Sequence, residues 1–461
     1  MRPMSWTLAI ALASCGPGQD YATVVRSLPP PDQPAPALSS DLRNLAVSED
    51  GALVFAKYTS SSAGGLVFAH PSLRTLQTVP GAPVPKALSL WPQGHGYFAV
   101  HATTLGGRVA YSVVSYDLDA ARRVWLKHLG TTGLTGFGPA ANGKRLMIAR
   151  SDPPVVELRE IETGRTVGKI PIPGEMDTRV DASGDRVIVA TATSLRSYQP
   201  LDGTSVCSAT LPSYPAEYMP TVRIAASEGY AVLGRSFPRK DVSNEDVQIV
   251  DSADCHVVGV LPGTLHSLVG GVVVWTIDRE HPSPSAPLPA EVTASSVRWH
   301  LGVTDLKTRA TRTLPLGTVP DSFPFFAVAP GGTKALLFPR REGATGLPFR
   351  LADLSTGAIA PLQEAKGDEL PAQYDPPAVT FAPDAAIAYL FTPRKMMRID
   401  LDSQTVDYAE IPGGPIAVSG YPRTSPDLVV VPKTPWLLLE RDLFLALVRR
   451  DTMALETKLV R

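Results

Sequence analysis

The stretch Val180-Asp181-Ala182-Ser183-Gly184-Asp185-Arg186-Val187-Ile188-Val189-Ala190 decides the fold class. A short apolar run meets a tight polar turn at Ser183-Gly184, and a second apolar run follows. Glycine between alternating apolar runs marks a hairpin, because the favoured turns need positive φ. The same figure stands at Leu45–Phe55 around Asp50-Gly51 and at Pro139–Ala149 around Asn142-Gly143. It returns at Ala225–Leu233 around Gly229 and at Val328–Phe338 around Gly331-Gly332. Phe381–Phe391 is a further copy without the glycine.

A second figure follows several of these by about 20 residues. It reads Tyr116-Asp117-Leu118-Asp119, Glu162-Thr163-Gly164, Thr304-Asp305-Leu306-Lys307-Thr308, Ala352-Asp353-Leu354-Ser355-Thr356-Gly357 and Ile399-Asp400-Leu401-Asp402-Ser403. Aspartate, serine and threonine suit such turns because their side chains bond nearby backbone. Together the two figures make a four-stranded unit: strand A, turn, B, loop, C, turn, D. Units begin near Leu42, Lys86, Leu134, Asp177, Val222, Leu265, Phe323, Val379 and Ile416, most of them about 43–48 residues apart. That spacing is a propeller-blade pitch; a sandwich rarely repeats a turn so regularly, and solenoid rungs are shorter.

The A–B turn resembles the Ser-Pro-Asp-Gly hairpin of TolB-like and WD40-like repeats. The C–D turn resembles the Asp-Leu-x-Thr-Gly turn of pyrroloquinoline-quinone-type and YVTN-type repeats. The resemblance covers about residues 40–461 and implies an all-β chain, a single β-propeller of four-stranded antiparallel blades. Nine units are one more than the usual four to eight blades. Eight blades are therefore expected within a range of seven to nine, one unit being an irregular insertion. Such a fold hosts many roles and does not by itself name a function.

The chain opens Met1-Arg2-Pro3-Met4-Ser5-Trp6-Thr7-Leu8-Ala9-Ile10-Ala11-Leu12-Ala13-Ser14-Cys15-Gly16. One positive charge precedes an apolar run too short to span a bilayer, which is a signal-peptide pattern. Leu12-Ala13-Ser14-Cys15 resembles a bacterial lipobox. By that resemblance 1–14 is removed, Cys15 is lipidated, and the protein is anchored to the cell envelope, at the outer membrane if one is present. The domain then lies in the periplasm or at the cell surface. The proline-rich Ser27–Ala37 favours an extended spacer, so 15–39 is expected to be a tether and 40–461 the propeller. Trp436–Val448 is apolar but carries Glu440, Arg441 and Asp442 in its middle, and reads as two buried strands around a turn. Export permits a disulfide between Cys207 and Cys255; two buried thiols are the other reading.

Forty-three basic and 44 acidic residues are mixed along the chain, for a net charge of −1. That argues against a nucleic-acid partner, which calls for a basic stripe. The long connections are Gly234–Asp246 (with Arg239, Lys240 and Asp241), Asp278–Ser296 (with Arg279 and His281) and Pro339–Pro348 (with Arg340 and Arg341). These are B–C loops; Pro361–Pro377, with Tyr374, is a D–A loop. In an antiparallel blade B–C and D–A connections share one rim, so these residues form the expected binding face. Mixed charge there suits another envelope protein or a peptide.

No Gly-x-Ser-x-Gly elbow and no Walker loop occurs. His95 and His101 lack a third ligand, and Asp117/Asp119 and Asp400/Asp402 fit turn chemistry better than calcium. No catalytic residue, metal ligand or cofactor is assigned. Two classes follow: a membrane-tethered binding scaffold, and a lactonase-like or quinone-dependent dehydrogenase-like propeller enzyme. The enzyme needs polar groups converging on the axial channel.

Overall fold

The computed structural model describes strands from Val24 onward and most of residues 96–460, with side chains from Trp91. Outside the described residues lie 1–23, 28–41, 241–242, 317–324, 339–347, 367–377, 411–426 and shorter connections. No helix occurs among the described residues. They form nine antiparallel sheets in chain order. Eight are four-stranded meanders, and the first has five strands.

The protein is a β-propeller. Apart from the extra outer strand of blade 1, the innermost strand of each blade comes first in sequence: Leu42–Val47, Pro85–Leu90, Leu134–Ala140, Arg179–Asp181, Thr221–Ser227, Thr264–Val269, Phe325–Val328, Ala378–Phe381 and Asp427–Val430. Leu42–Val47 lies beside Pro85–Leu90 on one side and beside Trp436–Arg441 of the last blade on the other, so the ring closes. The nine repeat units thus correspond to nine sheets, the upper end of the expected range and one above the eight favoured; no unit is an insertion. Trp436–Arg441 and Phe444–Arg449 are paired strands, as the charged interruption implied. One boundary differs. Val24–Ser27, in the stretch read as tether, pairs with Thr75–Val79 as an extra outer strand of blade 1. Its β-branched Val24-Val25 precedes the prolines and suits an edge strand.

The core is a series of blade interfaces. Strand residues alternate between two faces, and in blade 3 Leu146 and Ile148 pack toward blade 2 while Met147 and Ala149 pack toward blade 4. The same division runs through Val232 and Leu233 of blade 5 and Leu336 and Leu337 of blade 7. Strands buried on both faces read as continuous apolar runs, which is why strand B of each repeat is so hydrophobic.

The C–D turns repeat one hydrogen-bond scheme. In blade 7 Asp353 N–H donates to Ala358 O (2.8 Å) and Gly357 N–H returns to Asp353 O (2.8 Å). Asp353 Oδ1 accepts Ser355 N–H and Thr356 N–H at 2.9 and 2.8 Å. Asp305 accepts Thr308 N–H at 2.7 Å, and Asp400 accepts Asp402 and Ser403 N–H at 3.0 and 2.9 Å. The Ser355 hydroxyl in one case and the Thr308 and Ser403 amides in the others hold these carboxyls below their usual range. These acids close turns. Among the described residues no group of three or more His, Cys, Asp or Glu is placed to hold a metal ion.

The fifth turn residue takes positive φ, 85° at Gly357 but 60° at Gln404 and 61° at Arg309. Non-glycine residues pay a steric cost there that exceeds the entropy glycine brings. Gln404→Gly should therefore stabilise the protein by about 0.5–1 kcal/mol, and Gly357→Ala should destabilise it by a similar amount. Paired urea titrations check both signs.

The two kinds of turn share one rim. Ser252 N–H bonds Gly229 O (3.0 Å), Leu306 N–H bonds Gly271 O (2.9 Å), and Leu354 N–H bonds Thr333 O (2.8 Å). Each link joins the C–D turn to the A–B turn of the same blade. Neighbouring blades are clasped there as well. Arg145 donates to Leu201 O of the next blade at 3.0 Å, and Lys334 to Leu401 O at 3.0 Å. Tyr230 receives the Arg309 guanidinium over its ring at 4.6 Å. The short-turn rim is tied to itself, and the long connections lie on the opposite rim.

Candidate binding face

Gly234–Asp246, expected as a loop, is mostly strand. Tyr230–Pro238 and Ser243–Asp251 stay paired out to Pro238↔Ser243, so the connection shrinks to 239–242 at the tip of a long hairpin. Arg235 and Asp246, inside the stretch expected as a loop, face each other inside the protein. Arg235 Nε and Nη2 bond the two Asp246 carboxylate oxygens at 2.8 and 2.7 Å, with side chains 0% and 1% exposed. Arg235 Nη1 also donates to Ala192 O (2.8 Å) and Pro212 O (2.6 Å) of the preceding blade and its exit segment. Its guanidinium lies 5.3 Å from the Phe237 ring centre and 5.9 Å from that of Tyr214.

This buried fork fixes residues 211–220 against the hairpin. Tyr214 meets Phe237 edge-on at 5.2 Å. Glu217 and Tyr218 N–H both donate to Pro238 O, at 3.1 and 3.3 Å, and Arg239 Nε donates to Pro215 O at 3.0 Å. What results is an ordered ledge. It presents Tyr218 and Met219, 58% and 50% exposed, beside the exposed Arg239 and Lys240. No large apolar side chain among the described residues is more exposed than these two.

The connection after Val272–Asp278 is organised by Asp278. Its carboxylate accepts Arg298 Nε and Nη2 (2.9 and 2.7 Å), His281 Nδ1 (2.8 Å) and Glu280 N–H (3.0 Å). Arg298 also meets Glu280 at 3.1 Å and lies over the Trp299 ring at 5.1 Å. Burial alone would raise the Asp278 pKa; the bonds from Arg298, His281 and Glu280 outweigh it and hold the carboxyl below 3.8. A carboxyl depressed in the fold adds stability above its unfolded pKa, and that stability is lost as pH falls through the folded value. Residues 279–298 should therefore resist proteolysis at neutral pH and become cleavable below about pH 4. Asp278→Asn should be cleaved there already at pH 7; equal resistance of the two proteins would refute this role.

Around the axis, three consecutive inner strands carry basic side chains near their starts. Arg179 Nε donates to Val222 O at 3.2 Å, Arg223 Nη1 to Leu265 O at 3.4 Å, and the His266 ring meets Phe326 at 4.8 Å. Each side chain thus reaches the inner strand of the next blade. The intervening strand edge is covered by carboxylates: Asp177 accepts Val222 N–H (2.6 Å) and Asp181 accepts Ala226 N–H (2.9 Å).

Of the residues expected on the long-loop face, Arg239 and Lys240 stand together at the hairpin tip. Arg279 and His281 sit on the Asp278-organised connection, with Arg279 half-buried near Glu280 (4.0 Å). Asp241, Arg340, Arg341, Tyr374 and Cys15 lie outside the described residues, as do His95 and Asp119. Pro361–Pro377 begins as strand, since Ile359–Lys366 pairs with Pro348–Asp353 and takes Glu364 and Lys366 out of the loop. Cys207 and Cys255 are bridged, with Cα atoms 5.7 Å apart, joining strand D of blade 4 to the C–D turn of blade 5. Sequence reading missed Arg235, Asp246, Tyr218, Met219 and the inner-strand arc. The arc alone left a trace: Arg179, Arg223 and His266 each fall one or two positions after a repeat start.

No protein-family model matches the chain, and no curated protein sequence matches it. Solved structures do. A crystal structure of the eukaryotic initiation factor aligns with TM-score 0.52 at 12% identity, over 85% of this chain and 96% of that one. Apo AztD from Citrobacter koseri gives 0.44 at 13% identity, over 76% and 91%. Dihydro-heme d1 dehydrogenase NirN in complex with DHE gives 0.42 at 14%, over 79% and 72%. At such identities the likeness concerns the fold alone.

Proposed function

We propose that the protein is an exported propeller, tethered through a lipidated Cys15, that serves as a binding scaffold for another envelope protein or a peptide. The observation that carries this reading is the ledge at 211–220 and 239–240. A buried ion pair, two backbone bonds and the Arg239 bond to Pro215 O hold it in place before any partner arrives, and it presents Tyr218, Met219 and Arg239 to solvent. Tyrosine, methionine and arginine are enriched at recognition surfaces, and preordering lowers the entropic cost of binding. The Cys207–Cys255 bridge supports export, because structural disulfides persist in oxidising compartments. No helix among the described residues is long and apolar enough to cross a membrane; in this reading the anchor is the lipid on Cys15. The lactonase-like or quinone-dependent alternative draws on the arc of Arg179, Arg223 and His266. The carboxylates nearest that arc, Asp177 and Asp181, are engaged by backbone N–H groups and are poorly placed to act as bases.

The test is affinity capture from native membranes with the full lipidated protein, beside the variant Tyr218→Ala, Met219→Ala, Arg239→Glu, Lys240→Glu. A partner retained by the parent and lost at least tenfold by the variant is the expected result. Equal retention by both would remove the ledge as the site.

A further inference from the structure

The start of each inner strand is where the D–A connection delivers the chain to the axis, so Arg179, Arg223, His266 and Phe326 lie at the long-loop mouth of the channel. Their partners make them unequal. Arg179 is paired with Asp177 and keeps 53% of its side chain exposed. Arg223 is exposed, makes one long bond to a carbonyl, and meets no carboxylate among the described residues. Guanidinium groups carry five donors in a planar fork suited to carboxylate and phosphate. One bond to Leu265 O leaves most of that fork open.

His266 reports on the same space. Its ring stays exposed to solvent and meets Thr276 Oγ1 at 2.9 Å from its own blade and the Phe326 ring of blade 7, with Arg223 of blade 5 nearby. Desolvation first, and the Arg223 charge second, lower its pKa to about 4.

We propose that this mouth binds a small oxyanion, a carboxylate- or phosphate-bearing ligand, gripped by Arg223 with Arg179 beside it and flanked by His266 and Phe326. The site is independent of the ledge: the first takes a small anion at the axis, the second a macromolecule at the rim.

Isothermal titration of the intact protein with citrate and with inorganic phosphate tests it, alongside NMR titration of the His266 ring. Saturable binding of at least one anion is expected. It should weaken at least tenfold in Arg223→Gln, recover in part in Arg223→Lys, and stand unchanged in Arg239→Ala/Lys240→Ala. Bound anion offsets the Arg223 charge, so the His266 pKa should rise from about 4 toward 6.5. No saturable binding of either anion, or equal binding by Arg223→Gln that keeps the parent's circular dichroism, overturns the proposal. A His266 pKa that does not move on saturation places the anion elsewhere and overturns it too.

Discussion

Arg235→Ala should cost about 3–5 kcal/mol and weaken the contact between blades 4 and 5. The side chain is fully enclosed and spends four hydrogen bonds, two on Asp246 and two on the carbonyls of Ala192 and Pro212. Truncation leaves a buried carboxylate with no countercharge and two buried carbonyls with no donor, and each loss is expensive in a low-dielectric interior. Lysine does not rescue, since one ammonium cannot fork onto the carboxylate while reaching both carbonyls. Asp246→Leu alone should cost as much, because it strands the guanidinium instead. The paired change Arg235→Met/Asp246→Leu should recover the part of the loss due to the stranded charge, as apolar replacement of a whole buried pair is often neutral, while the carbonyls of Ala192 and Pro212 stay without a donor. A double-mutant cycle in urea reads this directly. Single losses under 1 kcal/mol, or a double loss equal to their sum, would show that the pair is not coupled. The same cycle bears on binding: the ledge rests on Pro212, Tyr214 and Phe237, so partner capture should fall in Arg235→Ala even where the ring stays folded.

The architecture was legible because its signals are local. Glycine turns and apolar alternation placed unit starts at Leu134, Val222 and Leu265, within a residue of strands that begin at Leu134, Thr221 and Thr264. The Asp-x-Ser/Thr figure marked C–D turns whose aspartates do cap backbone N–H groups. The site was less legible because its contacts are not local. Arg235 looks like a loop residue between Gly234 and Pro238 until its partner 11 positions away, and two carbonyls of the preceding blade and its exit, are in view. Gly234, where the loop was expected to begin, stays in the ladder opposite Arg223 and Val247, where a Cβ would stand 2.5 Å from that of Leu265. Arg179 and Arg223 are 44 residues apart and meet only when blades stand side by side. The favoured blade count fell one short because a nine-unit ring exceeds the common range, although each unit had been read.

Breaking the Cys207–Cys255 bridge should cost about 2–4 kcal/mol. The link closes a loop with a sequence separation of 48, for which the chain-entropy model gives roughly 4 kcal/mol. It acts where blade 4 meets blade 5, next to Ser197 Oγ–H donating to Ser252 O at 2.7 Å, and on the same interface as Arg235. Cys207→Ser/Cys255→Ser should lower the urea midpoint, and dithiothreitol should bring the parent down to the same value while leaving the variant unmoved. Cys255 also holds φ at 60°, so Cys207→Ser/Cys255→Gly should regain about 0.5–1 kcal/mol over the serine pair. Because bridge and ion pair secure one interface, removing both should cost less than the sum of the two single losses: once either is lost, the other no longer has a fixed neighbour to hold. Thiol counting on protein isolated from its own envelope connects this stability to location. Two blocked cysteines are expected there. Two free thiols in freshly isolated protein would remove the strongest structural support for export, and with it the reason to look for the partner at a membrane.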